Sequence, residues 1–318
     1  MLKQAEKLLP LLGIALFAAI IWLVGIDKII SAALSANPTM LLAAALILIP
    51  VALIQAFKWH YLIEKQKLGE VSFFQALRWY FIGLFYGAIT PAKIGSFMRI
   101  SLLQKATGKP LGACSASVVL DRMLDVLSVA LLAFFGAVFF LNAISGSVFL
   151  AFALLLAALI LALWLLTSRG KGAALLSALY AKLIPEKLKP QASELFSSFR
   201  AGMPQRGALS FAFILSFISW VLIFTQTYIV ALALGMGFEY AFFIAAVAVS
   251  SIVALLPVTI NGLGTSEAAL IVLLSPFNAA PSAIVAMSLI SALLLTYLSA
   301  AVGAAFALTA KSFKPLTG

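Results

Sequence analysis

Apolar residues fall along this chain in long blocks, without the alternation of strands or the one-sided stripe of soluble helices. The blocks cover residues 8–26, 38–57, 73–104, 111–141, 148–167, 208–234, 238–274 and 282–308. A helix rises 1.5 Å per residue, so about 20 residues cross a hydrocarbon layer of about 30 Å. The blocks at 8–26, 38–57, 148–167, 208–234 and 282–308 each predict one spanning helix, and 111–141 predicts one long helix that tilts or protrudes. The other two, 73–104 and 238–274, are too long for one upright helix. Each is broken, at Thr90-Pro91 and between Pro257 and Gly264. The first block is too long for the roughly 7–15-residue apolar region of a secretory signal, so it is expected to be an uncleaved helix followed by a turn at 27–37.

Charge between the blocks orients them. Lys58, Lys65 and Lys67 follow the second block, Lys105 and Lys109 follow the third, seven Lys or Arg residues occupy 169–206, and Lys311 and Lys314 follow the last. By the positive-inside rule these segments are cytoplasmic, as are both termini, and the uncharged 142–147 loop is external. With both flanks of 73–104 on one side, that block must enter the membrane and return, with Trp79 and Tyr80 near the interface. The predicted fold is an all-α polytopic membrane protein of six transmembrane helices plus two broken re-entrant helical hairpins. Apolar residues at near-helical spacing in 168–207 predict a cytoplasmic amphipathic insertion on the anionic inner leaflet.

An internal repeat accompanies this pattern. At the constant offset that carries Gly95 onto Gly264, Glu70, Phe73, Phe74 and Ala76 fall on Glu239, Phe242, Phe243 and Ala245, and Thr90 falls on Thr259. Three spans separate the two hairpins, an odd number, so the hairpins enter from opposite sides. That predicts an inverted-topology repeat with halves 8–141 and 148–308 inside a single integral membrane domain, 1–318.

Composition agrees, with 64% hydrophobic and 10% charged residues and a mean hydropathy of +1.16. The formal charge of +11 is accounted for by cytoplasmic segments beside anionic lipid, which removes the reason to expect nucleic acid. One cysteine, Cys114, excludes an intramolecular disulfide framework, and one histidine, His60, argues against a His-built metal site. No cofactor, metal or catalytic motif emerges, including the phosphate loop of an ATPase.

Candidate chemistry lies where charge meets apolar sequence, because charge at membrane depth is tolerated only in a protein-lined or watery cavity. In the first hairpin, Thr90 is expected to cap a half-helix, Pro91 to open it and Lys93 to lie in its first turn, with Gly95 and Arg99 beyond. Asp121 and Asp125 share one face of the fourth block, with Arg122 within reach of Asp125. The second hairpin offers Asn261, Gly262, Gly264 and Glu267, glycines for close backbone approach and a carboxylate at a helix start. Each has a plainer role open: a basic loop for Lys93 and Arg99, an interhelical salt bridge for the aspartate pair, a cap for Glu267. Lys93, Arg99 and Arg122 balance Asp121, Asp125 and Glu267 in charge.

These three clusters in order, Pro91-x-Lys93-x-Gly95 with Arg99, Asp121-Arg122-x-x-Asp125 and Gly262-x-Gly264-x-x-Glu267, resemble the lysylphosphatidylglycerol synthase transmembrane region, or flippase-like, family. Ser96 stands where many members carry a carboxylate. The resemblance covers about 8–308 and implies movement of an anionic or zwitterionic, aminoacylated or glycosylated, phospholipid or of a lipid-linked sugar across the cell membrane. The residues also leave open a membrane-embedded transferase acting on a lipid phosphate, and an assembly partner that uses the fold alone; self-association is compatible with all three.

Overall fold

The computed structural model describes residues 15–139, 146–168, 175, 189–255 and 262–310. All regular structure among them is helical. The chain opens with α1 (Ala15–Val24) and α2 (Ile26–Leu34), bent 77° apart at Gly25, whose φ of +91° favours glycine. The segment expected as a turn at 27–37 is therefore helical through Leu34. Asn37 stops that helix and starts the next: its side chain accepts hydrogen bonds from Thr39 N (3.0 Å) and Met40 N (3.3 Å), with Pro38 in the first position of α3 (Pro38–Lys65).

The first broken block is a helical hairpin. Ser72 caps α4 (Phe73–Ala88), accepting from Gln75 N at 3.2 Å. A 3₁₀ turn (Pro91–Phe97) reverses the chain into α5 (Met98–Thr107), which Gly108 ends at φ +65°. The arms run antiparallel: Gly83 faces the Arg99 stem, Gly87 faces Ser96, and a Cβ on Gly95 would overlap the Tyr86 carbonyl. Both ends of 73–107 consequently lie on one side of the fold. The long α6 (Leu111–Phe139) and α7 (Gly146–Thr167) follow.

The remaining elements are α8 (Lys189–Ala201), α9 (Arg206–Ala233), α10 (Tyr240–Leu255), α11 (Thr265–Leu274), α12 (Pro281–Ala292) and α13 (Ser299–Ala310). A π-helical turn, Leu293–Leu298, joins the last two into one long helix. The arms α10 and α11 also pack together, with Gly262 against Ala254. Their tip, including Asn261, lies outside the described residues, as do most of the expected inner-leaflet insertion and the expected 142–147 loop. The described piece of that insertion, α8, packs on the start of α6, where Gly112 meets Leu195 and Ser198.

Among the described residues, four helices are long and apolar enough to cross a membrane: Pro38–Lys65, Phe149–Thr167, Gly207–Ala233 and Pro281–Thr309, or five if the bent pair is one span. The broadest contacts are α3 on α9, α6 on α10 and α4 on α13. The last two are an exchange. The helix following the first hairpin packs on the second hairpin, where a Cβ on Gly136 would lie only 2.8 Å from Ala245 Cα; the helix following the second packs on the first, with Gly303 against the Phe81 carbonyl. Close crossings of this kind use small residues because lipid supplies little drive for helices to associate. The largest apolar core joins α3, α6 and α9 to α12, centred on Phe224 and Phe243. A second surrounds Trp59 and Trp79, whose rings lie 6.3 Å apart.

Candidate functional site

Four charged side chains meet between α3, the first hairpin, α6 and α9. Lys58, on α3, is fully buried and places its Nζ 3.0 Å from Asp121 Oδ1 and 2.5 Å from Asp125 Oδ1. Arg99, also fully buried, puts Nη2 2.9 Å from Asp121 Oδ2. Its guanidinium lies 4.8 Å from the Trp59 ring centre and 5.8 Å from that of Tyr80, a stacked setting in which a cation is tolerated without water. Asp125 Oδ1 also accepts from Gln55 Nε2 (3.2 Å) and from Ser216 Oγ, and Ser216 accepts from Lys58 at 3.1 Å. Two cations and two carboxylates thus close on one another, as buried charges must.

Several expectations change here. Lys58 lies in no loop: α3 continues to Lys65 and carries Lys58 into the core, one turn past Gln55. Trp79 and Tyr80 do not sit at a lipid interface but are buried against Trp59 and Arg99. Thr90 does not cap a half-helix. Its Oγ1 donates to Tyr86 O (2.8 Å) and accepts from Gly95 N (2.7 Å), stapling the tip of the hairpin across its own turn. The turn after Pro91 is 3₁₀, α5 starts only at Met98, and Lys93 sits at φ +55°, so Lys93 is not in the first turn of an α-helix.

Lys93 and Arg122 instead line a cavity of ≈ 110 Å³, together with Gln55, Tyr80, Ser96, Asp125, Trp220 and Thr296. Arg122 is half-buried, its Nη1 lies 3.8 Å from Asp125 Oδ2, and its Nε is buried without a hydrogen-bond partner. Lys93 makes no ion pair among the described residues. Leu48, Ala52 and Ser299 line this cavity and also a second one of ≈ 220 Å³, a groove between α3, α4 and α13 walled by residues such as Ile49, Leu53, Leu77, Phe81, Leu298 and Val302. A charged chamber thus lies beside an apolar groove.

Glu267 stands apart from this cluster. It is buried at the start of α11, where Oε2 accepts from Gly264 N (2.6 Å) and Ser266 Oγ (3.1 Å) and Oε1 accepts from Ser288 Oγ (2.7 Å). Gly262 and Gly264 adopt φ of +81° and +86° to make that turn. Glu267 lines neither cavity, and its hydrogen bonds are those of a helix cap tied to α12. Lys93, Arg122 and Asp125 therefore line one chamber, with the buried Arg99–Asp121 pair behind its wall and Thr90 and Gly95 shaping its hairpin. The structure adds Lys58, Gln55 and Ser216. Gln55 and Lys58 at i, i+3 were the sequence signal for that polar stripe; Ser216, in an otherwise apolar span, had none.

An all-helical integral membrane protein with a charged chamber among its helices is the class this architecture defines. The chain belongs to the lysylphosphatidylglycerol synthase TM region family, which it matches over residues 11–303. It is similar to an UPF0104 membrane protein of Pyrococcus horikoshii, at 27% identity over 286 residues, 82% of this chain and 84% of the relative. Further relatives are UPF0104 membrane proteins of Methanocaldococcus jannaschii, 24% identical with 91% of this chain and 90% of the relative covered, and of Methanothermobacter thermautotrophicus, 21% identical with 96% and 95% covered.

Proposed function

We propose that this protein moves a phosphate-bearing lipid across the membrane, its headgroup passing through the chamber while its chains remain in the adjoining groove. The observation that carries this reading is that the charged chamber and the apolar groove are neighbours, sharing Leu48, Ala52 and Ser299 in their walls. A soluble solute has no use for an apolar channel beside its site, whereas a lipid has both a charged and an apolar part. Lys93 and Arg122 supply the phosphate contacts, and the Lys58–Asp121–Arg99–Asp125 cluster holds the walls. Membership in the lysylphosphatidylglycerol synthase TM region family supports a lipid-related role, with aminoacylated or glycosylated lipids among the substrates to test.

In this reading the two hairpins belong to inverted halves, 8–141 and 148–308, and the exchange of α6 and α13 between them supports that symmetry. Rocking of one half against the other exposes the chamber to each leaflet in turn. On this reading the chain has six spans and two hairpins, with the basic segments, the 168–207 region and both termini at the cytoplasmic face of the cell membrane, against anionic lipid.

Purified protein in liposomes containing a fluorescent phospholipid tests the proposal. Protein-dependent transbilayer movement is expected, falling at least about tenfold in Lys93→Ala and in Arg122→Ala. Movement that persists unchanged in both variants sinks the proposed site. Covalently altered lipid in the same vesicles would assign a transferase instead.

A further inference from the structure

We infer that the chamber selects a headgroup carrying two negative charges, a phosphomonoester or a diphosphate, over monoanionic, zwitterionic and cationic headgroups. The inference rests on the lipid-transport reading above and adds the charge class of the substrate.

The charges in and behind the chamber wall do not cancel. Lys58 and Arg99 are matched by Asp121 and Asp125, all four within the short contacts already described. Lys93 and Arg122 remain; of the six charges these two and Asp125 line the chamber, and every other described side chain lining it is uncharged. Arg122 has a partial claim on Asp125 at 3.8 Å, but the count is indifferent to how that carboxylate is shared: four cations face two carboxylates, and the sum is +2. Lys93 is exposed and the Arg122 side chain is 32% exposed, so both are open to a ligand, and an anion between them relieves the repulsion of two like charges. A dianion cancels the surplus, a monoanion leaves +1, a zwitterion leaves +2, and a headgroup of net positive charge raises it.

A phosphate monoester on a protein side chain carries about −1.5 to −2 charges at neutral pH, and a lipid monoester has the same chemistry. The orphaned polar atoms of the wall lean the same way. Two buried donors lack partners there, Arg122 Nε and Trp220 Nε1, against one acceptor, Gln55 Oε1. With the Lys93 ammonium they outnumber the acceptors, as suits a ligand rich in phosphate oxygens.

Native mass spectrometry of the full chain in detergent tests this, because it separates bound species by mass. The protein is offered equimolar short-chain phosphatidic acid, phosphatidylglycerol and phosphatidylcholine and, in a separate arm, inorganic pyrophosphate. Phosphatidic acid is expected to exceed each of the other two lipids by at least about tenfold. Either Lys93→Gln or Arg122→Gln lowers the wall to +1, which a monoanion cancels, and should bring phosphatidylglycerol at least level with phosphatidic acid. The double variant should erase the advantage of phosphatidic acid over phosphatidylcholine.

Equal retention of the three lipids by the parent protein, or an order unmoved in both single variants, overturns the charge selection while leaving lipid binding standing. Retention of pyrophosphate but of no lipid, with pyrophosphate lost in Lys93→Gln, upholds the dianion chemistry and removes the lipid reading. Retention of nothing overturns both.

Discussion

Replacing Lys58 by methionine tests whether the buried cluster is closed as described. Lys58 Nζ lies 3.0 Å from one carboxylate and 2.5 Å from the other. At an effective dielectric of about 20 each contact is worth roughly 5–7 kcal/mol of Coulomb attraction. Relief of the lysine's desolvation, several kcal/mol, offsets much of that loss. Arg99 still holds Asp121, and Gln55 and Ser216 still hold Asp125, so the expected net destabilisation is about 3–5 kcal/mol, the range for breaking a buried pair from one side. Arg122 has room to close its 3.8 Å gap to Asp125 in the variant, which would withdraw it from the chamber. Lys58→Met should therefore weaken lipid movement even in the folded fraction. Unfolding by SDS in mixed micelles, followed by tryptophan fluorescence, measures the stability. A second variant, Lys58→Met with Asp125→Asn, removes one charge of each sign and should return to within about 2 kcal/mol of the parent. Lys58→Met unfolding within about 1 kcal/mol of the parent, as a lysine in a hydrated loop would, refutes the reasoning.

Gly303→Ala places a methyl on the Phe81 carbonyl, and Gly95→Ala places one on the Tyr86 carbonyl; each should cost about 2–3 kcal/mol in the same unfolding assay, since backbone must move to make room. Glu267→Ala removes the acceptor of three hydrogen bonds and should destabilise by about 2–3 kcal/mol, whereas Glu267→Gln, which keeps the shape of the cap, should cost only about 1 kcal/mol. Equal losses in the two would show that the charge, and not the cap, is what this position supplies. A cysteine at Gln104, at the end of the first hairpin, should react with a membrane-impermeant maleimide from the cytoplasm only, against a Cys114→Ser background; labelling from outside would make 73–107 a crossing segment.

Block length and the Thr90-Pro91 break were enough to read the first hairpin, because a 32-residue apolar stretch flanked by lysines has few ways to fit a bilayer. The shared face of Asp121 and Asp125 was equally legible from the i, i+4 spacing. Lys58 was not. The positive-inside rule reads side from charge but says nothing of depth, and a lysine seven residues before Lys65 looks the same in sequence whether its helix ends or continues. The aromatic-belt rule likewise presumes rings that face lipid, while Trp79 and Tyr80 face Trp59 and Arg99. At Thr90 the capping pattern was right in residue type and wrong in geometry, since the sequence did not reveal that the next turn would be 3₁₀ and that Lys93 would take a left-handed conformation. Glu267 shared the apolar context of the other charges, so only the hydrogen bonds to Gly264, Ser266 and Ser288 separated a cap from the chamber.

The exchange by which α13 closes on α4 bears on how the chain is made. Phe81 is inserted early in synthesis, and Gly303, which packs against it, is translated roughly 220 residues later. Until then one flank of the first hairpin, on the helix that carries Arg78 and Tyr80, has no protein beside it. Arg78 reaches the Phe306 carbonyl at 3.3 Å and Thr309 Oγ1 at 3.1 Å only once that last helix arrives. The nascent protein must hold a charged hairpin in the insertion machinery or against α3 and α6 for most of its synthesis. A fragment that stops before residue 299 leaves that flank open for good, which makes premature termination a route to degradation and not to a working half.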